Sequence, residues 1–285
     1  MRKLALAVIG IVVAGLNVTT ASADGVFTWS GCYLGVHLGY GIGDSNFSGE
    51  FVDSTVPSTF GAPTSVVLNP SNQMDFGIGG IFGGAQAGCD YQLTRNWVIG
   101  VAAEASGTNI NGNTPQPGTV TLIGSPTPAP TTVNSSGTLS SSNDFVATAT
   151  ARLGYSIGQS PFYWGGRGLF YVKGGAAWAD YKNSFNGTVA TTSCRTFSLL
   201  ANTCTASGTS YGQFDFGSTD QRVGWTVGIG TEWMIVGTWS VDFEYDFLDF
   251  GTRNVNLTDP IMGTDQFTVR QNINEIKLGI NYRVP

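Results

Sequence analysis

Between residues 239 and 250 the chain alternates with a period of two. Trp239, Val241, Phe243, Tyr245 and Phe247 share one parity, and Asp242, Glu244 and Asp246 share the other. Such a repeat marks a β-strand whose two faces meet different surroundings. Seven more segments carry the same signal: 29–43, 75–91, 97–106, 144–157, 168–178, 222–233 and 272–284. In the first, Cys32, Leu34, Val36, Leu38, Tyr40 and Ile42 oppose Tyr33, His37 and a run of glycines. In the last, Ile276, Leu278, Ile280, Tyr282 and Val284 oppose Glu275, Lys277, Asn281 and Arg283.

The joints between these segments alternate in length. Long polar stretches cover 44–74, 107–142, 179–218 and 251–271, and short ones cover 92–96, 158–167 and 234–238. Four long and three short joints on eight strands match an antiparallel up-and-down transmembrane β-barrel with long extracellular loops and tight periplasmic turns. An even strand number puts both termini on the periplasmic side. The 107–142 loop carries no charge and is rich in Ser, Thr, Pro and Gly, a composition expected to be mobile, with 117–130 locally extended.

A soluble eight-stranded barrel would show the same alternation with its apolar face inward. Two features favour the membrane. Charged residues are only 11%, far below the usual quarter. Aromatics also gather at strand ends: Trp29, Tyr91, Trp97, Trp233, Trp239 and Tyr282 at the short-turn end, Tyr40 and Trp178 nearer the other, as two interfacial belts require. Beyond the N-terminus no apolar run approaches the roughly 20 residues of a helical span. A closed barrel reconciles these facts, because its backbone groups pair between strands and only alternate residues need be apolar.

Residues 1–23 read as a secretory signal peptide: Arg2 and Lys3, an apolar run to Val18, then Ala21-Ser22-Ala23 before Asp24. The mature barrel domain is then 24–285, destined for the outer membrane of a Gram-negative bacterium. Its partners there are outer-membrane lipid and lipopolysaccharide, with periplasmic chaperones and the barrel-insertion machinery during biogenesis. Removing Arg2 and Lys3 leaves 11 basic against 19 acidic residues, a formal charge of −8. With no basic cluster to offset it, nucleic-acid binding is excluded.

The polar parity points into a lumen too narrow to stay empty. Its acids are Glu104, Glu232, Asp242, Glu244, Asp246 and Glu275, and its bases are Arg152, Lys173, Arg222, Lys277 and Arg283. Opposed charges converging there are expected to neutralise one another, plug the barrel and fix strand register. A water path for small ions, making the chain a small porin, is the competing reading.

Four cysteines remain in the mature chain, in a compartment that permits disulfides. Cys194 and Cys204 are expected to close the third long loop. Cys32 and Cys89 lie near one end of adjacent segments, where antiparallel pairing can set them opposite each other.

Chemistry is scarce. His37 is the single histidine, on a strand, and no nucleophile motif stands beside it in sequence. Phosphate-cradling loops and HExxH metal motifs are absent. No catalytic residue, metal or cofactor is assigned, and a lipid-modifying enzyme on this scaffold is disfavoured. The long loops offer the better functional surface, for an adhesin or receptor, haem included.

The order and spacing of several segments carry a family resemblance. They include Trp29-Ser-Gly-Cys-Tyr-Leu-Gly-Val-His-Leu-Gly-Tyr-Gly, Gly79-Gly-Ile-Phe-Gly-Gly-Ala-Gln-Ala-Gly-Cys-Asp-Tyr-Gln, Trp97-Val-Ile-Gly-Val-Ala-Ala-Glu and Ala151-Arg-Leu-Gly-Tyr. Leu169-Phe-Tyr-Val-Lys-Gly-Gly-Ala-Ala-Trp, Gly224-Trp-Thr-Val-Gly-Ile-Gly-Thr-Glu, Val241-Asp-Phe-Glu-Tyr-Asp-Phe-Leu-Asp-Phe-Gly and Ile276-Lys-Leu-Gly-Ile-Asn-Tyr-Arg-Val complete the set. Together they resemble the small outer-membrane β-barrels of alphaproteobacteria, the opacity-like and major surface proteins. The resemblance implies roles in envelope integrity and surface exposure, with haem binding or porin activity in some members. It also implies structural roles for Glu104, Arg152, Glu232 and Glu244. This chain departs from the pattern at Cys32 and Cys89, where relatives carry aromatics, which strengthens the pairing of those two cysteines. It departs again at Val284-Pro285, where relatives end in Phe.

Overall fold

The computed structural model describes residues 28–49, 52–53, 66–67, 73–123, 130–157, 167–198, 200, 203–259 and 263–284. The signal peptide expected at 1–23 lies outside them. Eight long strands form the wall: β1 (Gly31–Ser48), β4 (Gln73–Gln92), β5 (Trp97–Ile123), β6 (Pro130–Ile157), β7 (Gly168–Ser198), β8 (Thr203–Val236), β9 (Trp239–Asp259) and β10 (Gly263–Val284). A two-residue pair, β2 (Val52–Asp53) and β3 (Val66–Val67), stands apart. The eight close into an antiparallel barrel in the order β1-β10-β9-β8-β7-β6-β5-β4. β1 seals the ring against β10, pairing Leu34 with Tyr282 and Tyr40 with Ile276.

The outer wall keeps the apolar parity. Leu34, Val36, Leu38, Tyr40 and Ile42 of β1 are all more than half exposed, as are Leu278 of β10 and Ile229 of β8. Tyr91, Trp97, Tyr155, Trp239 and Tyr282 face outward near the turn end, and Trp97–Tyr155 and Trp239–Tyr282 meet edge to face. Trp29 breaks from the expected belt. Its side chain is buried in the lumen, with Nε1 donating to Ser156 Oγ at 3.0 Å. At the turn between β8 and β9, Gly237 takes a φ of 57°, which a residue with a Cβ adopts only under strain.

The strands run well past the expected segments, and the described parts of 44–74, 107–142, 179–218 and 251–271 are largely sheet rather than loop. β5 and β6 pair as far as Ile123–Pro130, and β7 and β8 as far as Ser198–Thr203. The stretch 107–142 is therefore a hairpin arm wherever it is described. Among the described residues, 112–123 of β5 pairs with β6 alone, so Pro115 and Pro117 sit on a sheet edge where a missing N–H costs no ladder bond.

In this far section the hydropathy of the two faces reverses. The outward residues of β1 beyond Ile42 are Asp44, Asn46 and Ser48, while Phe47 turns inward and is fully buried. Phe47, Phe185, Phe214, Phe216, Leu257, Phe267 and Val269 form part of one apolar core filling the far end of the lumen. Bulges mark the changeover. The pairing registers shift at Asn143/Phe145 in β6 and between Asp249 and Thr252 in β9, where Gly251 has a φ of 64°, against Arg270/Asn272 of β10. A one-residue bulge flips every side chain beyond it. Inward residues of β6 accordingly switch from even numbers (Val146, Thr148, Thr150, Arg152) to odd ones (Asn143, Ser141, Leu139).

Candidate functional site

The lumen of the lower section is packed with charge. Parity places every expected member there: Glu104, Arg152, Lys173, Arg222, Glu232, Asp242, Glu244, Asp246, Glu275, Lys277 and Arg283 all point inward, and each is buried or nearly so. They sort into layers along the barrel axis.

The layer nearest the turns holds two arginines and two carboxylates. Arg152 forks onto Asp90, with Nε donating to Oδ1 at 2.6 Å and Nη2 to Oδ2, and reaches Glu232 at 3.3 Å. Arg283 bridges the same pair, at 2.8 Å to Asp90 and 3.0 Å to Glu232, and also donates to the Trp29 carbonyl at 3.1 Å. Ser240 Oγ donates to Glu232 at 2.6 Å. Aromatic faces enclose both guanidinium groups. Arg152 lies 4.8 Å from the Tyr33 ring and 4.9 Å from Tyr171, and Arg283 lies 4.6 Å from Trp29. Such stacking suits the weakly hydrated planar guanidinium. Glycines make the room: a Cβ at Gly88 would stand 2.5 Å from Tyr33 Oη, and one at Gly230 2.5 Å from the Tyr171 ring.

Next along the axis, Lys173 and Lys277 bridge three carboxylates. Lys173 Nζ lies 2.7 Å from Glu104, 2.6 Å from Glu244 and 3.0 Å from Asp246. Lys277 contacts the same three, at 2.8 Å from Glu244 and 2.9 Å from Asp246. The acceptor oxygens of Glu104, Glu244 and Asp246 lie within 4.8 Å of one another, as metal ligands do. Two ammonium groups already bridge that triad.

A hydrogen-bonded chain of amides, histidine and serine leads from the Asp242 carboxylate across the lumen beside the ion pairs. Gln86 Nε2 donates to Asp242 at 2.9 Å and Asn281 at 2.7 Å, and Asn281 donates to Asp242 at 2.7 Å. Both Gln86 N–H groups are thereby used, so its carbonyl accepts from His37 Nδ1 at 3.0 Å. His37 Nε2 is left to accept from Ser106 Oγ at 2.7 Å. Ser106 is the partner that sequence reasoning missed, 69 residues away in the chain. Serine, histidine and amide thus stand in a nucleophile–base–orienter sequence. All three are buried, however, and the lumen is closed beyond them, so no substrate carbonyl reaches the serine.

Two members of the expected network stand apart. Arg222 lies farther along the axis, pairing with Asp220 at 3.2 Å, donating to the Val269 carbonyl and covering the Tyr181 ring at 5.4 Å. Glu275 forms no ion pair among the described residues, although it sits directly across from Asp246 in the β9–β10 register. Asp90 and Gln86, both central, were missed. Their strand is too glycine-rich to alternate cleanly, although Asp90 shares parity with the inward residues of β4.

Apolar plugs close the network at both ends. Trp29, Val98 and Leu169, with Tyr171, pack at the turn end, and the aromatic core fills the other. Both disulfides form. Cys32 and Cys89 face each other in the β1–β4 register, and Cys194–Cys204 staples the tip of the β7–β8 hairpin.

Comparison with known proteins agrees with this architecture. A 31 kDa outer-membrane immunogenic protein of Brucella melitensis is 28% identical over 273 residues, spanning 96% of this chain and 91% of that protein. Its Brucella suis counterpart matches equally well. Likeness to solved structures is looser. OprG of Pseudomonas aeruginosa covers 90% of this chain and 97% of its own at 9% identity and a TM-score of 0.38. Ail of Yersinia pestis covers 88% and 99% at 10% identity and a TM-score of 0.32. The family described as the outer membrane protein beta-barrel domain matches residues 9–283, and the chain belongs to it: an outer-membrane β-barrel of a Gram-negative bacterium, its lumen filled by a salt-bridge network.

Proposed function

We propose that this protein is a sealed structural barrel that supports envelope integrity and presents its far section at the cell surface, without conducting solutes. One observation carries the reading: the lumen holds a satisfied arginine–carboxylate layer and a lysine–carboxylate layer between two apolar plugs. A channel needs a continuous wet path, and Trp29 at one end and the phenylalanine core at the other interrupt it. In this reading the apolar wall meets lipid and lipopolysaccharide, and both termini lie in the periplasm, where chaperones deliver the chain to the insertion machinery.

A surface-recognition role is favoured by a separate observation. The β5–β6 and β7–β8 hairpins extend far past the apolar band, and the second is stapled at its tip and carries the exposed Tyr211 along its length. The Brucella relatives are named as immunogenic, in keeping with such arms being reachable from outside. Haem capture through a histidine gains no support, because the single histidine is buried in the lumen.

Planar-bilayer recording of the purified barrel tests the sealed reading. Expected is a closed baseline with rare, small openings; a large, steady single-channel current would overturn it. A deletion strain sensitised to detergent, with unchanged solute uptake, is the expected cellular phenotype, whereas selective loss of uptake would favour a porin.

A further inference from the structure

The lysine layer holds more acid than base. Glu104, Glu244 and Asp246 share Lys173 and Lys277. Glu275 adds a fourth carboxylate on the inner face, directly across from Asp246 in the β9–β10 register. With Asp242, whose side-chain partners among the described residues are the amides of Gln86 and Asn281, five carboxylates face two ammonium groups and leave three formal negative charges in a lumen plugged at both ends. Buried charge without compensation is strongly destabilising, so something must supply the balance.

The place for it is marked by oxygens lacking partners among the described residues. Glu275 is 4% exposed and Asp246 2%, and neither Glu275 Oε1 nor Asp246 Oδ1 has a hydrogen-bond partner among the described residues. These two residues are direct cross-strand neighbours on the inner face. Asp246 Oδ1 lies over Gly228, where an added Cβ would stand 1.9 Å from it, so only glycine admits this carboxylate pose. Two residues along β8 from Gly228, Thr226 is also inward and buried, and its Oγ1 is likewise unpartnered. Two carboxylate oxygens and a hydroxyl, with no nitrogen or sulfur, form a donor set for a hard cation. A divalent ion offsets two of those three charges.

We propose that Glu275 and Asp246, with the Thr226 hydroxyl alongside, bind a divalent hard cation of the Mg²⁺ or Ca²⁺ class inside the barrel. The site is distinct from the Glu104–Glu244–Asp246 triad, where lysine ammonium groups take the cation's role; Asp246 serves both, one oxygen to each. Because the lumen is closed, the ion enters as the barrel folds and exchanges slowly afterwards.

The test refolds urea-denatured mature protein into detergent, in metal-stripped buffer with or without added MgCl₂ or CaCl₂. Folded barrel is then separated by gel filtration for elemental analysis and thermal melting. Expected are a stoichiometric ion in wild type folded with the salt, a higher melting temperature than in its absence, and loss of both effects in Glu275→Gln and Asp246→Asn. Asp75→Asn, on the outer wall, should retain the ion. Both lumen variants are isosteric, and the gel-mobility shift of the heated against the unheated sample verifies that they fold. An ion-free wild type with unchanged melting would overturn the site and assign the surplus charge to bound protons or water. Retention of the ion in Glu275→Gln would overturn its location.

Discussion

Arg152 and Asp90 offer the sharpest test of whether the lumen is dry. Their side chains are 4% and 0% exposed, and the fork between them shares Glu232 and Arg283 in a balanced set of two cations and two anions. Replacing Arg152 by Met leaves Asp90 and Glu232 with Arg283 alone. Breaking a buried pair from one side costs about 3–5 kcal/mol, mostly through the stranded partner. Loss of the rings stacked on the guanidinium adds to that. Asp90→Asn strands Arg152 in the opposite sense and should cost a similar amount. The double variant removes one charge of each sign and leaves Arg283–Glu232 intact. It should therefore recover roughly 1.5–3 kcal/mol relative to the sum of the single variants. Urea unfolding in lipid vesicles, followed by tryptophan fluorescence and heat-dependent gel mobility, measures all three. Single-variant costs below about 1 kcal/mol, and additive in the double, are the values of solvent-exposed ion pairs. That result would refute the dry, plugged lumen and the sealed-barrel reading with it.

Position along β1 decides what the outer wall tolerates. Leu38→Arg, in the middle of the apolar band, should cost about 2–4 kcal/mol in vesicles, as charges at the bilayer midplane do; Asn46→Arg, with the same parity beyond Ile42, should cost almost nothing. Cys32 and Cys89 close a loop of 57 residues, so their joint replacement by Ala should lower stability by about 4 kcal/mol through loop entropy, read by the same urea titration. Mass spectrometry of unreduced digests should recover Cys32 linked to Cys89 and Cys194 linked to Cys204; free thiols at either pair would contradict the structure. His37→Ala leaves the Gln86 carbonyl and the Ser106 hydroxyl unpaired, a loss of about 1–3 kcal/mol for each buried group left unsatisfied, with no hydrolytic activity gained or lost.

The sequence made the lower section readable because one rule holds there without interruption. From Arg283 to Glu275 on β10, and from Glu232 to Arg222 on β8, largely apolar residues alternate with polar residues or glycine, so parity separated the two faces, and the scarcity of charge and the aromatic belts told lumen from lipid. The far section was hidden for two reasons. Its outward residues are Ser, Thr, Asn and Gly, a composition shared with loops. Its apolar residues sit on the inner face, as in a soluble barrel, so the expected lipid-facing repeat is missing. The bulges at Asp144 and Gly251 also change parity in mid-strand, which breaks any count of alternation. Trp29 misled differently: it stands at the expected membrane boundary, but its Nε1 and ring face serve Ser156 and Arg283 in the lumen. Glycine-rich β4 concealed Asp90 and Gln86, because parity needs bulky side chains to be seen.

Opposite patterns on one continuous sheet also fix its register. Sliding β10 by one residue against β1 would turn Lys277, Glu275 and Arg283 out to the lipid. The same slip would turn Phe267 and Val269 of the far section out toward water. Each lipid-facing charge near the midplane costs about 2–4 kcal/mol, and each large apolar side chain left exposed forfeits about 1.5–3 kcal/mol of burial. A barrel of only one type would resist slippage through a single set of penalties. Here the errors on the two sides of the changeover add, and β1 and β10, which join the chain's two ends, run through both sections without a change of inward parity in β1 or β10. The closing seam is thus the place where a wrong register costs most, and it is the contact that must form before the barrel has no free edge.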